Sequence, residues 1–213
     1  RALPRGLISV SEVWLYVFLS LCLLFYASYQ LSPLAFRLFP VAVLVLLIYS
    51  YTKRFSWTCH LFLGAALGLA PLGSWIAISG RVDLAPVLLA LGVLFWVAGF
   101  DIIYACDDYE FDRKEGLCSI PARFGIKRAL AISVFSHVVA PLLFLAAGLI
   151  LNAGALYLTG VVLAVGILIY QHTLVRPDDL SRAGIAFFNL NGMLSVIMFL
   201  FAFLDILYPL HLL

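Results

Sequence analysis

Six of the chain's 11 acidic residues crowd into one stretch, Phe100-Asp101-Ile102-Ile103-Tyr104-Ala105-Cys106-Asp107-Asp108-Tyr109-Glu110-Phe111-Asp112-Arg113-Lys114-Glu115-Gly116. Like charges at helical spacing repel, and carboxylates at membrane depth are costly, so the arrangement needs an explanation. If one helix runs through the stretch, roughly 100° per residue sets Asp101, Asp108 and Asp112 within about 40° of one another, with Tyr104 close by. Carboxylate oxygens on successive turns suit a hard divalent cation, Mg²⁺, held together with substrate phosphates. A solvated helix end accounts for Asp107, Glu110 and Glu115, which need only water or a neighbouring cation.

A Mg²⁺–diphosphate site also wants cations to take up the remaining phosphate charge. Lys53 and Arg54 follow Tyr49-Ser50-Tyr51-Thr52, Lys114 lies among the acids, and Arg123, Lys127 and Arg128 lie beyond. For Lys127, Arg128 and Arg176, anchoring at a membrane surface is the simpler reading. Cys22, Cys59, Cys106 and Cys118 form no CxxC pair and have no His at zinc spacing, so they read as apolar filler. His137, Asn189 and Asn191 read as hydrogen-bonding groups inside the bilayer, Asn191 also as a functional candidate. His60, His172 and His211 read as interfacial.

The elements that must position these groups follow from composition. The chain has 213 residues, 65% hydrophobic and 11% charged, which excludes a water-soluble globule, a disordered segment and a disulfide-stapled domain. A net charge of +2 argues against a nucleic-acid partner, so the expected surroundings are membrane lipid. Runs long enough to cross a bilayer predict about seven helices: Val13–Gln30, Leu34–Tyr51, Thr58–Ser79, Ala85–Cys106, Ala129–Leu151, Ala153–His172 and Ile185–Tyr208. Ser9 and Glu12 stand at capping-box spacing before the first run. Small residues at Gly64 and Gly68 predict close helix packing.

The expected fold is therefore an all-α integral membrane protein, one domain over residues 1–213, with 107–128 as a loop carrying the acids. Threading alternate loops to alternate sides puts 11 of the 13 basic residues on one side, all but Arg37 and Arg81. The positive-inside rule makes that side cytoplasmic.

The pattern Asp101-xx-Tyr104-xxx-Asp108-xxx-Asp112-x-Lys114-x-Gly116-xx-Ser119, followed by Ile120-Pro121-Ala122-Arg123-Phe124-Gly125, resembles the second aspartate-rich motif of the UbiA superfamily of membrane prenyltransferases. Tyr49-xxx-Lys53 is similar to that family's tyrosine–lysine motif, and Arg1-Ala2-Leu3-Pro4-Arg5-Gly6-Leu7-Ile8-Ser9 to the segment after its first aspartate motif. Tyr170-Gln171-His172, Pro177-Asp178-Asp179-Leu180-Ser181-Arg182 and Phe187-Phe188-Asn189-Leu190-Asn191-Gly192 resemble the branch acting on 4-hydroxybenzoate, including futalosine-route menaquinone enzymes.

The resemblance implies transfer of a polyprenyl group from polyprenyl diphosphate to an aromatic acid, 4-hydroxybenzoate or a dihydroxynaphthoate, for ubiquinone or menaquinone, in a bacterial inner membrane. It implies Mg²⁺ on Asp108 and Asp112, with Asp101 as ligand or orienter. Lys53, Arg54 and Lys114 would meet the diphosphate, while Tyr49 and Tyr104 would bond its oxygens or face the allyl cation. The family has nine helices and a first motif, Asn-xxx-Asp-xxx-Asp, that these residues lack; the expectation is an N-terminal truncation of two helices, inactive alone. Two rivals are a multi-pass transporter or channel subunit with a cytoplasmic metal site, and a CDP-alcohol phosphotransferase. The first predicts acids spread through the midplane; the second needs an upstream Asp-Gly-xx-Ala-Arg, which is missing.

Overall fold

The computed structural model describes residue 6 and residues 8–209. Most of the Arg1–Ser9 stretch, with Arg1 and Arg5, and also His211 lie outside the described residues. Among the described residues, seven helical spans are long and apolar enough to cross a bilayer. They are α1 (Val10–Leu31), α2 (Pro33–Thr52), α3 (Cys59–Ser79), α4 (Leu84–Asp107), α7 (Ile126–Ile150), α8 (Ala155–Thr173) and a composite last span (Ala183–Leu207). Two short helices, α5 (Tyr109–Lys114) and α6 (Ile120–Phe124), fill the connection between α4 and α7.

Local chemistry sets several boundaries. Ser9 Oγ accepts the Glu12 N–H at 3.2 Å and Glu12 Oε2 accepts the Ser9 N–H at 2.7 Å, the reciprocal cap expected from their spacing. Ser32 caps α2 by accepting the Ala35 N–H, and Pro33 follows in the first turn, where its missing N–H costs nothing. Gly116, at φ +67°, ends the turn after α5, a backbone region that L side chains avoid. Ser119 then caps α6, its Oγ accepting the Ala122 N–H at 3.3 Å.

α4 is the central element and packs most extensively on α3 and α7. Gly64 and Gly68 let α3 approach α4 so closely that a Cβ on Gly68 would lie 2.6 Å from the Ala90 carbonyl oxygen, and one on Gly64 would strike the Leu94 carbonyl. Ser133 Oγ donates to the Gly99 carbonyl at 2.7 Å and fastens α7 to the same helix. Within the acidic stretch, Ile102, Ile103 and Cys106 of α4 pack with Ile120, Ala129 and Leu130.

The last span is not uniform. A turn of α-helix, α9 (Ala183–Ile185), passes into a π-helical segment at Ala186–Leu190 and then into α10 (Asn191–Leu207). Wider π turns leave carbonyls poorly served, and two buried amides serve them here. Gln171 Nε2 donates to Ala186 O at 2.9 Å, and Asn191 Nδ2 donates to Phe187 O at 2.7 Å. Asn191 Oδ1 in turn accepts the Trp96 indole N–H at 3.0 Å, so the expected structural role of Asn191 is what the geometry shows.

Candidate active site

The acidic stretch is not one helix. α4 stops at Asp107, and Asp108 forms the joint before α5. A helix C-terminus disfavours adjacent carboxylates, whereas a new N-terminus favours them. Breaking the helix puts Glu110 and Asp112 in the first turn of α5 and Arg113 and Lys114 in its last, each on the end the dipole prefers. Asp101, Asp108 and Asp112, expected on one helix, are therefore divided between α4, the joint and α5.

Asp112, fully buried, turns toward the end of α2, and Lys53 Nζ lies 2.8 Å from its Oδ1. The lysine side chain keeps 37% of its surface exposed. Among the described residues no donor hydrogen-bonds Asp112 Oδ2. A buried carboxylate with one oxygen unserved is costly, which marks Asp112 as a group built to meet something else.

Asp101 Oδ2 lies 2.7 Å from His60 Nδ1, the imidazole being buried at the start of α3. His60 is therefore not interfacial, as its position near a helix end had predicted, but a core group joined to an acid. Tyr49 lies within electrostatic reach of Asp101, Cys59 and Lys53, and Cys59 within reach of Asp101, Lys53 and Asp112. Tyr49, Lys53, Asp101 and Asp112 thus share one end of the bundle.

The connection beyond α5 is strapped to the same place. Cys118 N–H donates to Lys53 O at 2.8 Å, Cys59 Sγ–H donates to Cys118 O at 3.4 Å, and Ile120 N–H donates to His60 Nε2 at 3.3 Å. A cavity of about 370 Å³ beside this strap is lined by Phe55, Trp57, Asp112, Arg113, Ser119 and Arg123. The exposed Arg123 guanidinium lies 5.9 Å from the Trp57 ring centre, at the rim of this cavity.

The remaining candidates are placed differently. Arg54 lies over the Tyr51 ring, Lys114 is exposed, and Asp108 is half-buried at the joint. The Tyr104 ring packs 4.5 Å from Phe187 of the π segment, in an aromatic ladder that continues to Phe100 and Trp96. His172, also expected at an interface, is joined to His137 at 2.9 Å, while His137 Nε2 donates to the Trp96 carbonyl. A larger, almost wholly apolar groove of about 860 Å³ lies between α7 and α8, apart from the acids.

Among the described residues no three His, Cys, Asp or Glu side chains gather closely enough to cage a metal. Mg²⁺ does not need such a cage: it keeps waters and is held through one or two carboxylates plus substrate phosphates. The unserved Oδ2 of Asp112 fits that role.

Seven apolar spans with a carboxylate and an ammonium joined at one end define a multi-pass membrane protein. The chain belongs to the UbiA prenyltransferase family, whose description it matches over residues 1–209. It is 32% identical over 213 residues to a 4-hydroxybenzoate octaprenyltransferase of Alkalilimnicola ehrlichii, covering 100% of this chain and 70% of that one. It is 31% identical over 206 residues to the protein of that name in Aromatoleum aromaticum, covering 96% and 69%. The solved apo structure of a UbiA homolog from Aeropyrum pernix K1 superposes with a TM-score of 0.86 at 33% identity, covering 95% of this chain and 75% of that one.

Proposed function

We propose that this chain transfers a polyprenyl group from polyprenyl diphosphate to a ring carbon of 4-hydroxybenzoate, in ubiquinone biosynthesis, with Mg²⁺ as cofactor. The observation that carries the reading is the buried Asp112 with its unserved oxygen against Lys53. Relatives bearing the octaprenyltransferase name support the choice of acceptor. Asp112 and Asp108 would hold Mg²⁺, which when bound to a diphosphate neutralises the charge that grows as the leaving group departs.

The chain's own residues do the rest. Lys53, half-exposed and already at the acid, reaches a diphosphate oxygen and stabilises the pyrophosphate as the allylic C–O bond breaks. Tyr49, at the same end of the bundle and within electrostatic reach of Asp101 and Lys53, would hydrogen-bond the same diphosphate, and Asp101 would orient the groups around it. The Tyr104 face, carried on the aromatic ladder, borders the path of the allyl cation. The ring carbon of the acceptor then forms the new C–C bond as the allylic C–O bond is lost, and its proton passes to solvent water. Arg54 and Lys114 supply positive charge at the rim rather than contacts. The basic end faces the cytoplasm of a bacterial inner membrane in this reading, where water-soluble acceptor and released pyrophosphate are handled.

The test is transfer of a radiolabelled prenyl diphosphate to 4-hydroxybenzoate in membranes holding the full-length protein. EDTA should abolish transfer and added Mg²⁺ restore it, and Asp112→Asn should lower the rate about a hundredfold or more. Transfer that survives both EDTA and Asp112→Asn overturns the assignment; transfer to a dihydroxynaphthoate alone overturns the acceptor.

A further inference from the structure

We infer that His60 is the positioning residue for Asp101, holding that carboxylate in one orientation and coupling it to the strap that closes the site. The inference rests on the reading of Asp101 as part of the catalytic apparatus.

The donor and acceptor pattern fixes the imidazole. A backbone N–H can only donate, so the 3.3 Å contact from Ile120 N makes His60 Nε2 an acceptor. The ring proton must then sit on Nδ1, which donates to Asp101 Oδ2 at 2.7 Å. The neutral Nδ1–H tautomer is the form that satisfies both contacts, and no rotation of the ring preserves the pair. At 2% exposure the ring has no water to substitute for either partner.

Three segments meet at this ring: α3 supplies it, α4 supplies Asp101, and the start of α6 supplies Ile120 N–H. Asp101 keeps 22% of its side-chain surface exposed, so one oxygen is tied down inside while the carboxylate still reaches the site. The arrangement parallels the outer groups that orient metal-binding and catalytic side chains, whose loss costs about 10–100-fold. It also carries position in the other direction. A displacement of the Ser119–Ile120 strap, which is itself tied to Lys53 through Cys118, passes through one rigid ring to Asp101.

Two near-isosteres separate positioning from packing. In His60→Asn the amide nitrogen takes the place of Nδ1 and keeps the bond to Asp101; in His60→Gln the amide takes the place of Nε2 and keeps only the bond from Ile120. The full-length protein in nanodiscs should be assayed with geranyl diphosphate and 4-hydroxybenzoate, alongside thermal melting and ¹⁵N-histidine NMR. The expected result is kcat within about threefold of wild type for His60→Asn, and a fall of about 10–100-fold for His60→Gln at a similar melting temperature. The wild-type His60 signal should show protonated Nδ1 and should shift in Asp101→Asn.

Asp101→Asn separates this inference from the reading beneath it. If Asp101→Asn loses activity while His60→Gln keeps it, or while His60→Asn falls as far as His60→Gln, the positioning role is overturned and Asp101 stands. If Asp101→Asn keeps wild-type activity, the role given to Asp101 fails and the inference falls with it. A His60 signal with protonated Nε2 overturns the tautomer and the coupling directly.

Discussion

Asp112 and Asp205 are both buried carboxylates in an apolar bundle, yet they are satisfied in different ways, and the difference separates the acid proposed to meet a cation from a structural one. Asp205 accepts the Gly154 N–H at 2.8 Å and the Tyr157 N–H at 3.2 Å, closing the N-terminus of α8 with a side chain from α10. Helix N-termini favour such an anion. Asp205→Ala should therefore cost about 1–2 kcal/mol, read as a lowered melting temperature in detergent, with the rate per folded molecule unchanged. Asp112 meets a single lysine and leaves an oxygen over. Sequence spacing singled out Asp112 for a divalent cation and Lys53 as a cation for a diphosphate, the family resemblance added Tyr49, and those residues do share one end of the bundle. Spacing could not find His60, since its partner is 41 residues away on another helix and a lone histidine at a helix start looks like a surface group. Asp205 was overlooked for the same reason: the groups it serves are backbone N–H groups far along the chain.

At the scale of elements, apolar run length was enough to place all seven spans to within a few residues, because the bilayer demands it. The break between α4 and α5 was not legible that way. A run of acids reads as one charged face when periodicity alone is considered, whereas the dipoles of a long helix and a short one favour dividing it at Asp108. The π segment was equally hidden, as nothing in Ala186-Phe187-Phe188-Asn189-Leu190 announces a wider turn; the signal lies in Gln171 and Asn191, the amides that serve it. Asn191→Ala removes the donor to the Phe187 carbonyl and the acceptor for the Trp96 N–H together. It should destabilise the protein by about 1–3 kcal/mol and change Trp fluorescence as the indole loses its partner. Because Phe187 carries the ring against Tyr104, the same variant should weaken transfer beyond what the fraction unfolded explains.

Across the whole molecule, packing is unequal. α4, α7 and α8 carry many buried residues, while α1 and α2 carry one each, Ser28 and Thr52. Trp14, Phe18, Leu23, Tyr26 and Tyr29 all turn outward from α1. The α1–α2 pair is nevertheless held at both surfaces of the bundle. At one, Ser32 Oγ donates to the Ile76 carbonyl at 3.0 Å; at the other, Lys53 meets Asp112 and accepts from Cys118.

A pair of helices fastened at two surfaces and packed on one side only, against α3, is expected to respond to the bilayer's thickness. When hydrocarbon thickness departs from the span between the two fixings, helices tilt, at a cost of fractions of a kcal/mol per ångström. The half-exposed lysine gives way before the buried serine does. Reconstitution in lipids of graded acyl length should therefore change the turnover number while the melting temperature of the α4–α7–α8 core holds steady, so that lateral tension in the membrane would be felt first where Lys53 meets Asp112.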